Sequence, residues 1–341
     1  MTLRAAAIAW AACALLLLAG CVRLPAQLQA ELSAVDPVRA TASDAQRDAV
    51  AVRRAAHPAR IDWRSVPVET GQIVVHEAVD PTSLFVSLFA ERFEPYVHAG
   101  VVVVEAGRPW VYESMGLMLP RASGRPNDRM RGGVRRVSLR SFMARKGVFA
   151  LHAAPAGVDK NRLVTWLEAQ RRARTPFDGY FDHEDADALY CVEFVARAFA
   201  ASGGPEFART PVSRQPSLAV ALRWLQIDTD SFWLAGTLLQ DQPRVAAGSR
   251  SLTAAQVEAW FAMKAELHRR FVATSRLGDL FEWRLQSIRL RPRVAAYVAR
   301  GLNAALDEPT SWLTDAPRLA AANAERAFGA QAATHWTSAV R

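Results

Sequence analysis

Between positions 72 and 152, short β-branched apolar runs are separated by Gly, Pro and Asp, and this texture predicts five strands at residues 72–76, 97–104, 109–114, 134–138 and 148–152. The period then changes. Leu163, Trp166, Leu167 and Gln170 recur at helical spacing within residues 159–174, and Val192, Val195, Ala196 and Phe199 form a second apolar stripe. Asp187 is the expected N-cap of this second helix and Ser202-Gly203-Gly204 its stop, which places Cys191 in the first turn. Residues 205–247 mix Pro-rich loop with apolar patches at 218–225 and 232–239. From Ser249 onward the pattern reads as all-helical: Thr253 and Gln256 make a capping box ahead of a stripe of Val257, Trp260, Phe261, Leu267 and Phe271, while Pro292 and Pro317 are expected to start two further helices. No internal repeat is visible.

The chain has 341 residues, 51% of them hydrophobic, and three cysteines, which excludes a largely disordered chain, a disulfide-built miniprotein and a multi-zinc module. The N-terminus changes the picture. Arg4 precedes a 14-residue apolar run at 5–18 that ends at Leu18-Ala19-Gly20-Cys21. This run is shorter than the roughly 20 residues a spanning helix needs and reads as a secretory signal. The tetrapeptide resembles a bacterial lipobox, which would make Cys21 an acylated residue and the membrane a partner through that N-terminal lipid. Val22 stands where an aspartate would resemble an inner-membrane retention signal, so the expected location is the cell envelope, on the outer membrane facing the periplasm. The expected organisation is a signal peptide at 1–20, a tether at 21–60, a main domain at 61–247 and a helical extension at 248–341, packed on the core or serving as a lid.

The formal charge of +9 falls to +8 when residues 1–20 are removed, since they hold one Arg. The arginines are spread through the chain without interleaved aromatics, which argues against nucleic acid as a partner. The densest basic run, 121–146, reads as a solvated loop, with contact to anionic lipid or cell-wall polymer as the lesser alternative. Asp182, His183, Glu184, Asp185 and Asp187 match no metal-loop spacing and read as a solvated loop, so neither a metal nor a cofactor is expected. His76 and His152, at strand ends, are expected to be ordinary hydrogen-bonded histidines, and His268 and His335 lie without companions.

Candidate chemistry rests on one thiol. With Cys13 removed and Cys21 acylated, Cys191 has no intrachain partner in an oxidising compartment, and it is either buried structure or a nucleophile. A helix N-terminus favours the thiolate. The base must come from elsewhere, and His98 near the start of the 97–104 strand is the candidate. If that strand and 109–114 form a hairpin about Ala106-Gly107, paired residue numbers sum to 213, Gly100 opposes Glu113, and Glu113 shares a face with His98 at bridging distance. A slip by one would put them on opposite faces. His183, eight residues before Cys191, is the rival base.

These residues resemble a known family. Tyr96-Val97-His98-Ala99-Gly100-Val101, Trp110-Val111-Tyr112-Glu113-Ser114, Thr175-Pro176-Phe177-Asp178 with Phe181, and Leu189-Tyr190-Cys191-Val192-Glu193-Phe194 are similar to segments of the circularly permuted papain-like amidases of the YiiX/YaeF type, relatives of NlpC-type cell-wall peptidases and more distantly of lecithin:retinol acyltransferase. Val97 and Val192 stand where that family often has Ser, or Ser or Thr. The resemblance covers roughly residues 67–200. It implies an α+β, permuted papain-like fold with a small antiparallel sheet packed on helices, followed by the helical extension. It further implies Cys191 as nucleophile, His98 as general base and then acid, and Glu113 as the orienting residue, with Glu193 in a structural hydrogen bond. The implied activity is a cysteine amidase or peptidase working through a thioester on cell-wall peptides. Acyl transfer, hydrolysis of an acyl amide or ester, and a non-catalytic envelope binding protein are the alternatives.

Overall fold

The computed structural model describes residues 51–53, 55–61, 65–118, 130–145, 147–284 and 287–329. The signal segment, Cys21, most of the tether, residues 121–129 of the basic run, and His335 lie outside the described residues.

Among the described residues the fold is mixed α+β, with ten helices and a six-stranded antiparallel sheet. The sheet is built from β1 (Ile73–Glu77), β2 (His98–Glu105), β3 (Arg108–Met118), β4 (Met130–Ser138), β5 (Val148–His152) and β8 (Arg244–Ser249), in the order β4-β3-β2-β1-β5-β8. Two small pairs complete the strands: β6 (Thr210–Pro211) with β7 (Ser231–Phe232), and β9 (Phe281–Arg284) with β10 (Ser287–Leu290). The helices are α1 (Pro81–Ser87), α2 (Leu139–Met143), α3 (Lys160–Ala173), α4 (Cys191–Ala201), α5 (Pro216–Leu225), α6 (Ala235–Leu239), α7 (Ala254–Thr274), α8 (Leu277–Leu280), α9 (Pro292–Asp307) and α10 (Pro309–Phe328). None of the helices is long and apolar enough to cross a membrane.

Because side chains alternate across a strand, the two faces of the sheet bury different sets. Ile73, Val75, Val101, Val103 and Tyr112 face the larger core, shared with α3, α4, α7, α9 and α10. Val74, Val102, Val111, Phe149 and Leu151 face a smaller one closed by Leu139, Phe142 and Met143 of α2. Helix α4 packs its stripe into the larger core, and its fully buried Phe194 and Phe199 each contribute about 1.5–3 kcal/mol by burial.

The five strands expected from sequence all form, and β2 pairs with β3 at Val101↔Tyr112 and Val102↔Val111, the register in which residue numbers sum to 213. Three expectations need correction. The N-cap of α4 is Tyr190 and not Asp187. The Leu189 N–H donates to the Pro176 carbonyl and the Leu189 carbonyl accepts from Ser114 Oγ, so tertiary hydrogen bonds hold this stretch extended and delay the helix until Cys191. The region after Ser249 is not all-helical: Phe281-Glu282-Trp283-Arg284 and Ser287-Ile288-Arg289-Leu290 alternate apolar and polar residues and form the β9–β10 pair. Residues 244–249, read as the end of a loop region, form the edge strand β8. The expectation for Pro317 holds: a helical segment begins at Pro309, the backbone breaks at Asp315 (φ −147°, ψ 41°), and Pro317 lies in the first turn of the last segment, where a missing N–H is tolerated.

One buried ion pair fastens α7 to the sheet. Lys264 and Glu77 have no solvent exposure, and Nζ lies 2.8 Å from Glu77 Oε2 and 3.0 Å from the Pro95 carbonyl oxygen. Trp260 Nε1 (3.0 Å) and Ser83 Oγ (2.6 Å) donate to Glu77 Oε1, so both carboxylate oxygens are satisfied. Burial pulls the Lys264 pKa down, against the opposing pull of Glu77. Removing one partner of such a pair leaves an uncompensated buried charge. Lys264→Met is therefore expected to lower stability by about 3–5 kcal/mol in urea unfolding, and the Glu77→Gln/Lys264→Met double variant to recover most of that loss. A single variant as stable as the wild type would show that the pair is not buried as described.

Candidate active site

His98 opens β2 on the face of the smaller core. Its ring stacks on Phe142 at 5.9 Å between centroids with 21° between planes. Nε2 lies 2.6 Å from Glu113 Oε2 on the neighbouring strand β3, and Glu113 is completely buried. Gly100 makes this approach possible. A Cβ there would stand 2.7 Å from Val111 Cγ1 and 3.0 Å from the Tyr112 carbonyl oxygen, so only a residue without a side chain lets β3 come this close below His98.

Cys191 is the first residue of α4, 8% exposed, with Sγ 3.7 Å from the Val97 carbonyl oxygen at the entrance to β2. That carbonyl belongs to the residue before His98, so the sulfur stands beside the start of the strand that carries the imidazole. With Nε2 committed to Glu113, Nδ1 is the ring nitrogen left for a second partner. The first intrahelical bond of α4 runs from Phe194 N–H to the Tyr190 carbonyl, so the N–H groups of Cys191 and Val192 belong to the unpaired first turn, where the helix dipole and free donors favour a negative charge. Burial works against a charged His98 ring, but the neighbouring Cys191 and then Glu113 outweigh it, pushing its pKa up to about 9.

Glu113 has two partners that the sequence pattern does not reveal. Arg135, directly opposite on β4, donates Nε to Oε1 at 2.9 Å, and Arg145 donates Nη1 to Oε2 at 2.8 Å and Nη2 to Oε1. The Arg145 guanidinium also lies over the Phe142 ring, 4.7 Å from its centroid. The β3–β4 register could not be read because the eleven residues 119–129 between the two strands are too many for their turn residues to fix one pairing. Burial alone would raise the Glu113 pKa, but His98 and Arg145 hold it well below the usual carboxylate range.

The other sequence candidates are placed elsewhere. His183 Nδ1 is 3.3 Å from Thr229 Oγ1 and its ring meets Trp233 edge-to-face, while its carbonyl accepts from Arg197. His76 is the cross-strand neighbour of His98 and meets Phe142 edge-to-face. His152 Nδ1 lies 2.9 Å from the Gln242 carbonyl oxygen, and His268 Nε2 lies 2.9 Å from that of Ala90. Glu193 lies in the first turn of α4, accepting from Arg197 Nε at 2.8 Å and from Tyr190 N–H, and burial pushes it up to about 8. Asp178 accepts from the Tyr180 and Asp182 N–H groups, which fixes the 178–182 turn; burial pushes its pKa up to about 6. Asp182 and Asp185 accept from the backbone two residues on. Among the described residues no group of three or more His, Cys, Asp or Glu side chains could hold a metal ion.

The depressed pKa of Glu113 has a consequence for stability. Its contribution is whole above the ordinary carboxyl value of 4.5 and is lost as pH falls from there through the lower folded value. Urea unfolding of the wild type is expected to weaken progressively below that value. Glu113→Gln should start less stable at neutral pH and show a shallower decline over the acid range; parallel declines in the two proteins would show that Glu113 carries no such pairing.

No family model matches the chain, and no curated protein matches it. Among solved structures it is similar to the crystal structure of metalloprotein yiiX from Escherichia coli O157:H7, DUF1105, at 16% identity and a TM-score of 0.41, over 52% of this chain and 96% of that one. A likeness of that size transfers neither a metal nor an activity.

Proposed function

We propose that this chain is a cysteine-dependent hydrolase, an amidase or peptidase whose nucleophile is Cys191, with His98 as acid and base and Glu113 as its orienting group. The observation that carries the reading is the juxtaposition of a thiol at a helix start, its Sγ 3.7 Å from the carbonyl oxygen of the residue before His98, with a His98 ring whose Nε2 lies 2.6 Å from the buried Glu113. The residues occur in the order His, Glu, Cys, the two from the sheet before the one from the helix, which fits a circularly permuted papain-like arrangement.

The Cys191 thiolate adds to the amide carbonyl carbon, and the oxyanion that forms is met by the unpaired N–H groups of the first turn of α4. The C–N bond then breaks as the His98 imidazolium gives its proton to the leaving amine, leaving a thioester on Cys191 and a neutral imidazole. Water, losing a proton to that imidazole, adds to the thioester. The thiolate is expelled, the acid product leaves, and the imidazolium–thiolate pair is restored. Glu113 keeps the ring in one orientation through both halves. The lipobox-like segment at Cys21 supports a lipid-anchored enzyme of the cell envelope, with cell-wall stem peptides as the substrates that such a position offers.

Iodoacetamide at about pH 6 tests the nucleophile, because an unactivated thiol is largely protonated there and reacts slowly. Cys191 is expected to label rapidly and the rate to fall sharply in His98→Ala; labelling no faster than free cysteine would sink the enzyme reading and leave an envelope binding protein. Parallel assays on muropeptides and acyl amides should release amine only with the former, whereas turnover of acyl amides or transfer of their acyl group would redirect the assignment to lipid chemistry. Palmitate labelling in a bacterial host is expected to be lost on Cys21→Ala, and retention would rule out that anchor.

A further inference from the structure

A carboxylate has two oxygens and about four lone-pair sites. In Glu113 all four are taken: Oε2 accepts from His98 Nε2 and Arg145 Nη1, and Oε1 from Arg135 Nε and Arg145 Nη2. No position is left for water, and rotation about the carboxylate bond would break every contact at once. Arg145 makes half of these bonds. It is also the group that covers Phe142 on one side, while the same ring stacks on His98. Two of the surfaces that fix the imidazole, the carboxylate at its Nε2 edge and the ring against its face, are therefore held by one guanidinium. Arg145 is mostly buried, whereas Arg135 is about half exposed and supplies a single bond.

We infer that Arg145 is a positioning residue for the Cys191–His98 pair, with Arg135 in a lesser supporting role: it locks the Glu113 carboxylate and the Phe142 ring, and through them the orientation and charge of His98. This rests on the proposal that Cys191 is the nucleophile. The charged and titratable groups around the imidazole are Cys191 from α4, Glu113 from β3, Arg135 from β4, Arg145 after α2, and His76 from β1. A positive charge beside Glu113 also limits how strongly the carboxylate holds the imidazolium proton, so the fork sets geometry and the charge sets the pH window. The raised pKa of His98 is consistent with this balance.

The pH–rate profile of Cys191 alkylation by iodoacetamide separates the two effects. The wild type should show an ion-pair plateau and, where the imidazolium loses its proton, an upper step that His98→Ala abolishes. Arg145→Lys keeps the charge but not the fork, and is expected to lower the plateau by up to roughly 100-fold with the upper step in place. Arg145→Met removes both, and should lower the plateau and move the upper step to higher pH. Arg135→Met should do the same to a smaller extent. Circular dichroism melts identify any variant that fails to fold, and the Lys variant carries the test if the Met variant does. Folded Arg145 variants with a wild-type plateau and step would overturn the inference while leaving the nucleophile reading intact. Slow wild-type labelling that is indifferent to His98→Ala would overturn both.

Discussion

A carboxylate removed from water loses several kcal/mol of solvation, and Glu113 does so on the face of a β-sheet with no exposure at all. Much of the surrounding structure can be understood as the compensation. Strand β2 brings His98 to one oxygen, β4 brings Arg135 to the other, and the turn after α2 brings the Arg145 fork to both. Gly100 is the residue that lets β2 and β3 approach closely enough at this point. The charge is thereby fixed in place and direction, which a solvated surface glutamate could not offer to an imidazole.

The Cys191 side is arranged by different forces. Helix α4 is held by apolar burial along its length, but its start is set by polar contacts: the extended stretch before it is pinned at Leu189 to Pro176 and Ser114, and Tyr190 and Glu193 close the first turn. Cys191 is left at the first helical position, against the carbonyl that precedes β2. The segment leading into His98 is in turn clamped from the C-terminal part of the chain, through Lys264 on the Pro95 carbonyl and the Gly236 N–H on Glu94 at 2.9 Å. Helices α7, α9 and α10 share the larger core with the sheet, so residues beyond 248 contribute to the same packed body that carries His98.

The sequence made some of this legible and hid the rest for identifiable reasons. Short β-branched runs and a two-residue turn at Ala106-Gly107 define the β2–β3 register, because a tight hairpin leaves almost no freedom in the pairing, and from it the His98–Glu113 pair follows. The helix containing Cys191 was readable from its apolar stripe, but its first residue was not, since long-range hydrogen bonds overrode the local cap at Asp187. Arg135 and Arg145 were invisible because their placement depends on a long connection and on a turn after a five-residue helix. The Lys264–Glu77 pair has no local signature, since its partners are 187 residues apart. The β9–β10 pair was missed where short alternating segments lay between long helices.

The central claim is that Cys191, His98 and Glu113 form one ionic unit. Nitrogen-15 NMR of the His98 ring, followed through a pH titration of the wild type and of Cys191→Ala, measures this without any substrate. The ring is expected to stay doubly protonated to about pH 9 in the wild type and to lose its proton at clearly lower pH when the sulfur is removed. A ring that titrates near the ordinary histidine value of 6.5 in both proteins would contradict the claim.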